Sequence, residues 1–108
     1  MGFETPTDTQ SFQEMVMAHG DKPVFVKFSA DFCGPCKLVQ EDLERFSEEF
    51  KDRMGFVYCD VETLEEVAMV YEVSDLPTFI VLKNLNTVGR TYGTKVDKIK
   101  ALIEDALK

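Results

Sequence analysis

One short run constrains this chain more than any other. Val24-Phe25-Val26-Lys27-Phe28 is β-branched or aromatic at every position but one, and it ends beside Cys33-Gly34-Pro35-Cys36. This five-residue run after the breaker Gly20-Asp21-Lys22-Pro23 reads as a strand buried on both faces, as in a sheet covered by helices. After the cysteines, apolar side chains recur at Cys36, Val39, Leu43, Phe46 and Phe50, with acidic residues between them. Steps of three and four residues predict one long amphipathic helix. The two cysteines therefore stand where a buried strand turns into a helix.

The rest of the chain repeats the alternation. Residues 8–19 place Phe12, Met15 and Val16 at helical spacing behind Asp8 as N-cap. Residues 55–61 predict a second strand containing Cys59, and Thr63 is expected to cap a short helix burying Leu64, Val67, Ala68 and Tyr71. Residues 78–82 predict a third strand, joined through Lys83-Asn84-Leu85-Asn86 to a hairpin partner at 87–92. Thr94 with Asp97 has the form of a capping box for a last helix lined by Val96, Ile99, Ile103 and Ala106. A βαβ crossover followed by a hairpin and a helix implies an α/β fold: a mixed sheet of four to five strands flanked by four helices. The possible fifth strand is a short edge at residues 3–5, cut off by Pro6. With 108 residues and neither repeat nor Gly/Ser linker, residues 1–108 are expected to form a single domain.

Charge narrows the partners. Twelve Lys+Arg against twenty Asp+Glu give a net charge of -8, which repels phosphate backbones and anionic lipid heads, so neither nucleic acid nor a membrane surface is expected as a partner. No apolar run approaches the roughly 20 residues of a bilayer span. The opening Met1-Gly2-Phe3-Glu4-Thr5-Pro6 has neither a secretory nor a transit pattern, and Pro6 stands where a myristoylation motif wants Ser or Thr. The expected compartment is the cytoplasm, where thiols rest reduced.

Three cysteines are too few for a secreted disulfide scaffold. A pair separated by two residues can hold a metal or form a redox disulfide. Structural zinc normally takes four ligands, and beyond the pair the chain has only Cys59 and the lone His19, so no metal site is expected. The redox reading suits the location. At a helix start, unpaired N–H groups and the macrodipole stabilise a Cys33 thiolate, while Cys36 lies one turn inside, shielded. Gly34 leaves room for an approaching backbone, and Pro35 suits a first-turn position. A Cys-x-x-Cys beside a βαβ pattern is a known sign of a thioredoxin-like redox motif.

Ser29-Ala30-Asp31-Phe32-Cys33-Gly34-Pro35-Cys36-Lys37 resembles the active-site stretch of the thioredoxin family. The resemblance continues through Phe56-Val57-Tyr58-Cys59-Asp60-Val61, Leu76-Pro77-Thr78-Phe79 and Val88-Gly89 to Gly93, in order and spacing over nearly the whole chain. It implies a thioredoxin fold and a protein-disulfide reductase working by dithiol–disulfide exchange in cell redox homeostasis, with Cys33 as nucleophile and Cys36 as resolving thiol. It also implies a cis-proline at Pro77, main-chain pairing of substrate at Leu76, and a contact surface of Phe32, Gly34, Pro35, Leu76, Pro77 and Gly93. The implied partners are an NADPH-dependent thioredoxin reductase and disulfide-containing proteins such as peroxiredoxins. No cofactor beyond the Cys33–Cys36 disulfide is implied.

Three departures from the family accompany the match. Lys27 stands where the family usually has a buried Asp. As an ammonium it would stabilise thiolates, as a desolvated amine it could act as a base, and near the sheet's end it could instead snorkel to water. Phe32 replaces a tryptophan and loses its N–H donor. Glu41 replaces a helix-kinking proline, which predicts a straighter helix. These changes motivate an alternative reading, a redox-sensing or protein-binding module of the same fold with weak turnover; an oxidase or isomerase is a third, disfavoured without a secretory signal. Cys59 reads as a small buried hydrophobe, His19 as a helix-end residue, and the five methionines as packing or surface residues.

Overall fold

The computed structural model describes residues 2–108. It contains α1 (Thr9–Met17), β1 (Val24–Ser29), a 3₁₀ segment (Pro35–Val39), α2 (Gln40–Glu49), β2 (Gly55–Asp60), α3 (Glu65–Val70), β3 (Thr78–Lys83), β4 (Asn86–Tyr92) and α4 (Val96–Ala106). The four strands lie in the order β2-β1-β3-β4, with β1 parallel to β2 and antiparallel to β3. β4 returns antiparallel to β3 through a tight turn in which Asn84 (φ 51°) and Leu85 (φ 67°) both take the left-handed conformation of a primed hairpin turn.

The expected fifth strand is reduced to a single parallel bridge, Glu4 to Val57. The Glu4 N–H donates to the Phe56 carbonyl (2.9 Å) and the Glu4 carbonyl accepts from the Tyr58 N–H (2.8 Å). Pro6 has no N–H to extend that ladder.

Strand alternation divides the core into two layers. Val24, Val26 and Phe28 of β1 face α1 and α3, packing with Phe12, Val16 and Val67. Phe25 faces α2 and α4, packing with Leu43, Phe46, Phe79 and Ile103. By the same alternation Lys27 and Ser29 fall on the α2 side, at the end of the sheet where the cysteines are.

Three local expectations are corrected. The long helix after Cys36 is two pieces, because Val39 (φ -107°, ψ 4°) leaves helical geometry between the 3₁₀ segment and α2. The break is present with Glu41, not a proline, in the first turn of α2. Thr63 does not cap α3 and the Thr94/Asp97 capping box does not form; the residues entering α3 and α4 are Leu64 and Lys95, with no side-chain cap. Packing of Leu64 and Ile99 in the core, both nearly fully buried, sets those helix starts instead. Asp8 does cap α1, accepting the Ser11 N–H at 2.7 Å in a reciprocal capping box.

Candidate active site

β1 delivers the chain to the site. Beyond Ser29, the Cys33 N–H donates to the Ala30 carbonyl (3.1 Å), closing a tight turn that aims Cys33 back over the end of the sheet. Pro35 opens the 3₁₀ segment, where its missing N–H costs no hydrogen bond. Cys33 and Cys36 form a disulfide with their Cα atoms 5.4 Å apart, within the usual range for such a bond. The Cys36 N–H donates to Cys33 Sγ at 3.3 Å. The helical segment that starts here is five residues of 3₁₀ rather than a long α-helix, so this direct N–H contact outweighs the macrodipole.

Both cysteines are buried, Cys33 at 7% exposure and Cys36 at 3%, but their neighbours are not. Phe32 is 70% exposed, and Gly34, Pro35 and Lys37 are also open to solvent. A side chain at Gly34 would meet nothing within 4 Å, so the fold does not demand glycine there. Gly93 differs: its φ of +97° suits glycine, and its N–H donates to the Pro77 carbonyl at 3.0 Å. The Leu76–Pro77 bond is cis. Leu76 packs its side chain against the α1/α3 layer, and no turn or loop hydrogen bond among the described residues uses its N–H or C=O.

Behind the disulfide, on the α2 side, a cavity of about 280 Å³ is lined by both cysteines, Lys27, Tyr58, Glu44 and Phe3, among others. Lys27 enters it from the central strand, half-buried, with its ammonium nitrogen 5.5 Å from the centre of the Tyr58 ring. No carboxylate among the described residues makes an ion pair with it. Burial holds the Lys27 amine below the ordinary lysine range, and the charge of Glu44 partly offsets this. Burial likewise pushes the Tyr58 phenol up, helped by Asp60 and opposed by a hydrogen bond with Ser29. Sequence reasoning singled out Lys27 but missed Phe3, Glu44 and Tyr58, since no local pattern tells which distant residues wall a cavity.

Cys59 lies fully buried in the α1/α3 layer, away from this cavity. Burial and the neighbouring Asp60 push its thiol up to about 12, so it is an un-ionised hydrophobe at neutral pH. Among the described residues no cluster of three or more His, Cys, Asp or Glu side chains could hold a metal ion, and no helix is long and apolar enough to cross a membrane.

A dithiol pair at a strand-to-helix turn, on a mixed sheet covered on both faces, defines a thiol–disulfide exchange protein. Residues 4–105 match the Thioredoxin family model. Thioredoxin of Oryctolagus cuniculus is 37% identical over 97 residues, covering 90% of this chain and 91% of that protein. Thioredoxin-T of Drosophila melanogaster is 34% identical over 85% of this chain, which spans only 58% of that longer relative. Among solved structures, thioredoxin NaTrxh of Nicotiana alata superposes with a TM-score of 0.91 at 28% identity, covering 99% of this chain and 94% of that one. The chain belongs to the thioredoxin family, whose members are protein-disulfide oxidoreductases.

Proposed function

We propose that this chain, acting as one domain over residues 1–108, reduces protein disulfides with Cys33 as nucleophile and Cys36 as resolving thiol. The observation that carries this assignment is the Cys36 N–H aimed at Cys33 Sγ. A donor 3.3 Å from that sulfur favours its anion, while among the described residues no hydrogen bond reaches the sulfur of Cys36, which is more deeply buried. The Cys33 thiolate attacks one sulfur of a substrate disulfide, and the other leaves as a thiolate. Cys36, deprotonated, then attacks Cys33 Sγ, forming the intramolecular disulfide and expelling the second substrate thiolate. Two electrons pass from the dithiol to the substrate, and no cofactor beyond the two sulfurs is required.

Substrate lies extended over Phe32, Gly34, Pro35 and Gly93, beside Pro77, and pairs with the unengaged main chain of Leu76. The open space around Gly34 supports this, since glycine there serves contact rather than the fold. Lys27 acts on the pair electrostatically through the cavity, as an ammonium favouring thiolates or as an amine accepting the Cys36 proton. The working partners are a thioredoxin reductase supplied by NADPH and disulfide-bearing proteins such as peroxiredoxins, and the compartment is the cytoplasm.

Reduction of insulin disulfides with NADPH and a thioredoxin reductase tests the reading. Sustained turnover that disappears in Cys33→Ser supports it. A pair that is reduced by small thiols and reoxidised by small-molecule disulfides, yet drives turnover near zero, overturns it in favour of a sensing or binding module.

A further inference from the structure

Lys27 lies on the central strand of the sheet, yet part of the wall around it comes from outside the named strands and helices. Phe3 lines the same cavity. Its ring stands edge-on to Phe56 (centroids 5.4 Å apart, planes at 70°) and to Phe25 (6.4 Å, 71°), which places it on the α2 face of β1 and β2.

Several contacts hold it there. Glu4 makes two main-chain hydrogen bonds to β2. The Glu4 carboxylate sits 2.7 Å from His19 Nε2 at the end of α1. On the other side, Gly2 lies so close to Ser47 of α2 that an added Cβ would fall within 2.5 Å of its side chain. Gly55 is similarly placed beneath the His19 ring, where a Cβ would come within 2.7 Å of three ring atoms. Two glycines without room for a methyl, a side-chain hydrogen bond between Glu4 and His19 and two ladder bonds anchor this segment firmly.

We propose that Phe3 is a positioning residue for the redox centre: clamped by residues 2–4 onto β2, its ring closes one wall of the Lys27 cavity and so limits the water that reaches the amine in the cavity it shares with Cys36. The charged and titratable groups that line the cavity with that amine are Tyr58 from β2, Glu44 from α2, Lys37 from the 3₁₀ segment and Asp31 from the turn, and neither carboxylate is within ion-pair distance of it. With no counter-ion in contact, hydration decides how readily Lys27 holds its proton, and the ring controls hydration. This rests on the reading of Lys27 given above, but it is read at the lysine rather than at the thiols.

The test follows the Lys27 side-chain ε-carbon signal against pH in oxidised, ¹³C-lysine-labelled protein, with Lys27→Met identifying the resonance. Phe3→Ala is expected to raise the Lys27 titration midpoint by roughly half a pH unit or more, toward an ordinary lysine. Phe3→Leu, which refills the wall without an aromatic ring, should restore the wild-type midpoint. If Phe3→Ala does not fold, Phe3→Val carries the same expectation with a smaller shift. An unchanged midpoint in the truncated variant overturns the proposal, as does Phe3→Leu moving as far as Phe3→Ala. The reading of Lys27 fails separately, if Lys27→Met leaves the pH profile of cysteine alkylation where it was; Phe3 would then tune a lysine that does not act on the thiols.

Discussion

The two faces of this sheet are built from the same strands and have opposite chemistry. Toward α1 and α3, β1 presents Val24, Val26 and Phe28 to a dry layer that also buries Cys59. Toward α2 and α4 it presents Phe25, then Lys27 and Ser29, and the layer opens into a cavity touching both redox cysteines. One cysteine is thus made inert by the face it occupies, with its thiol pushed up to about 12. The other two stand past the strand's end, where a backbone N–H can reach a sulfur. Position relative to the sheet, not residue type, separates a packing thiol from a reactive one.

Removing the resolving thiol breaks the comparison hardest. Cys36→Ser should abolish turnover in insulin reduction and leave a mixed disulfide on Cys33 that mass spectrometry detects, because nothing else in reach can attack that sulfur. The buried Cys59 should not substitute for it. Next comes the dry face: Phe28→Ala should cost about 3–5 kcal/mol in denaturant unfolding, as a fully buried phenyl ring leaves a cavity behind. The same measurement on an equally buried side chain of the other layer, Phe25, asks whether the open cavity lets that layer relax and lowers the cost.

Lys27→Met sharpens the comparison with a smaller effect. Because the folded-state pKa of Lys27 is lowered, the unfolded chain binds more protons in the window between that value and the ordinary lysine pKa of 10.5. The wild type therefore gains stability as pH rises through that window and carries the cost of the buried charge below it. The variant should be more stable at pH 7, by about 1 kcal/mol or less because the amine is half in water, and the advantage should shrink as pH approaches 10. An advantage constant with pH would mean that the methionine gains by packing alone.

The features legible in the sequence are those set by local pattern. Continuous apolar runs mark the first three strands, the turn at Lys83-Asn84-Leu85-Asn86 marks the fourth as a hairpin partner, and the Cys33–Cys36 spacing at a strand-to-helix turn marks the site. What escaped depends on contacts distant in sequence. The apolar spacing through Cys36, Val39 and Leu43 fits both a continuous helix and the broken one observed, since both bury the same face. Thr63 and Thr94 carry capping side chains, but the burial of Leu64 and Ile99 placed the helix starts elsewhere. Lys27 was visible as an anomaly, whereas its cavity is assembled from residues 3, 44 and 58, which only the fold brings together.

The central claim is that the strand end activates one sulfur of three, and the order of alkylation tests it most directly. Reduced protein treated with limiting iodoacetamide at pH 6.5 and mapped by peptide mass spectrometry should carry the label on Cys33 first, with Cys36 slow and Cys59 modified only after unfolding. Labelling that begins at Cys36, or that proceeds at equal rates on Cys33 and Cys36, would contradict the assignment.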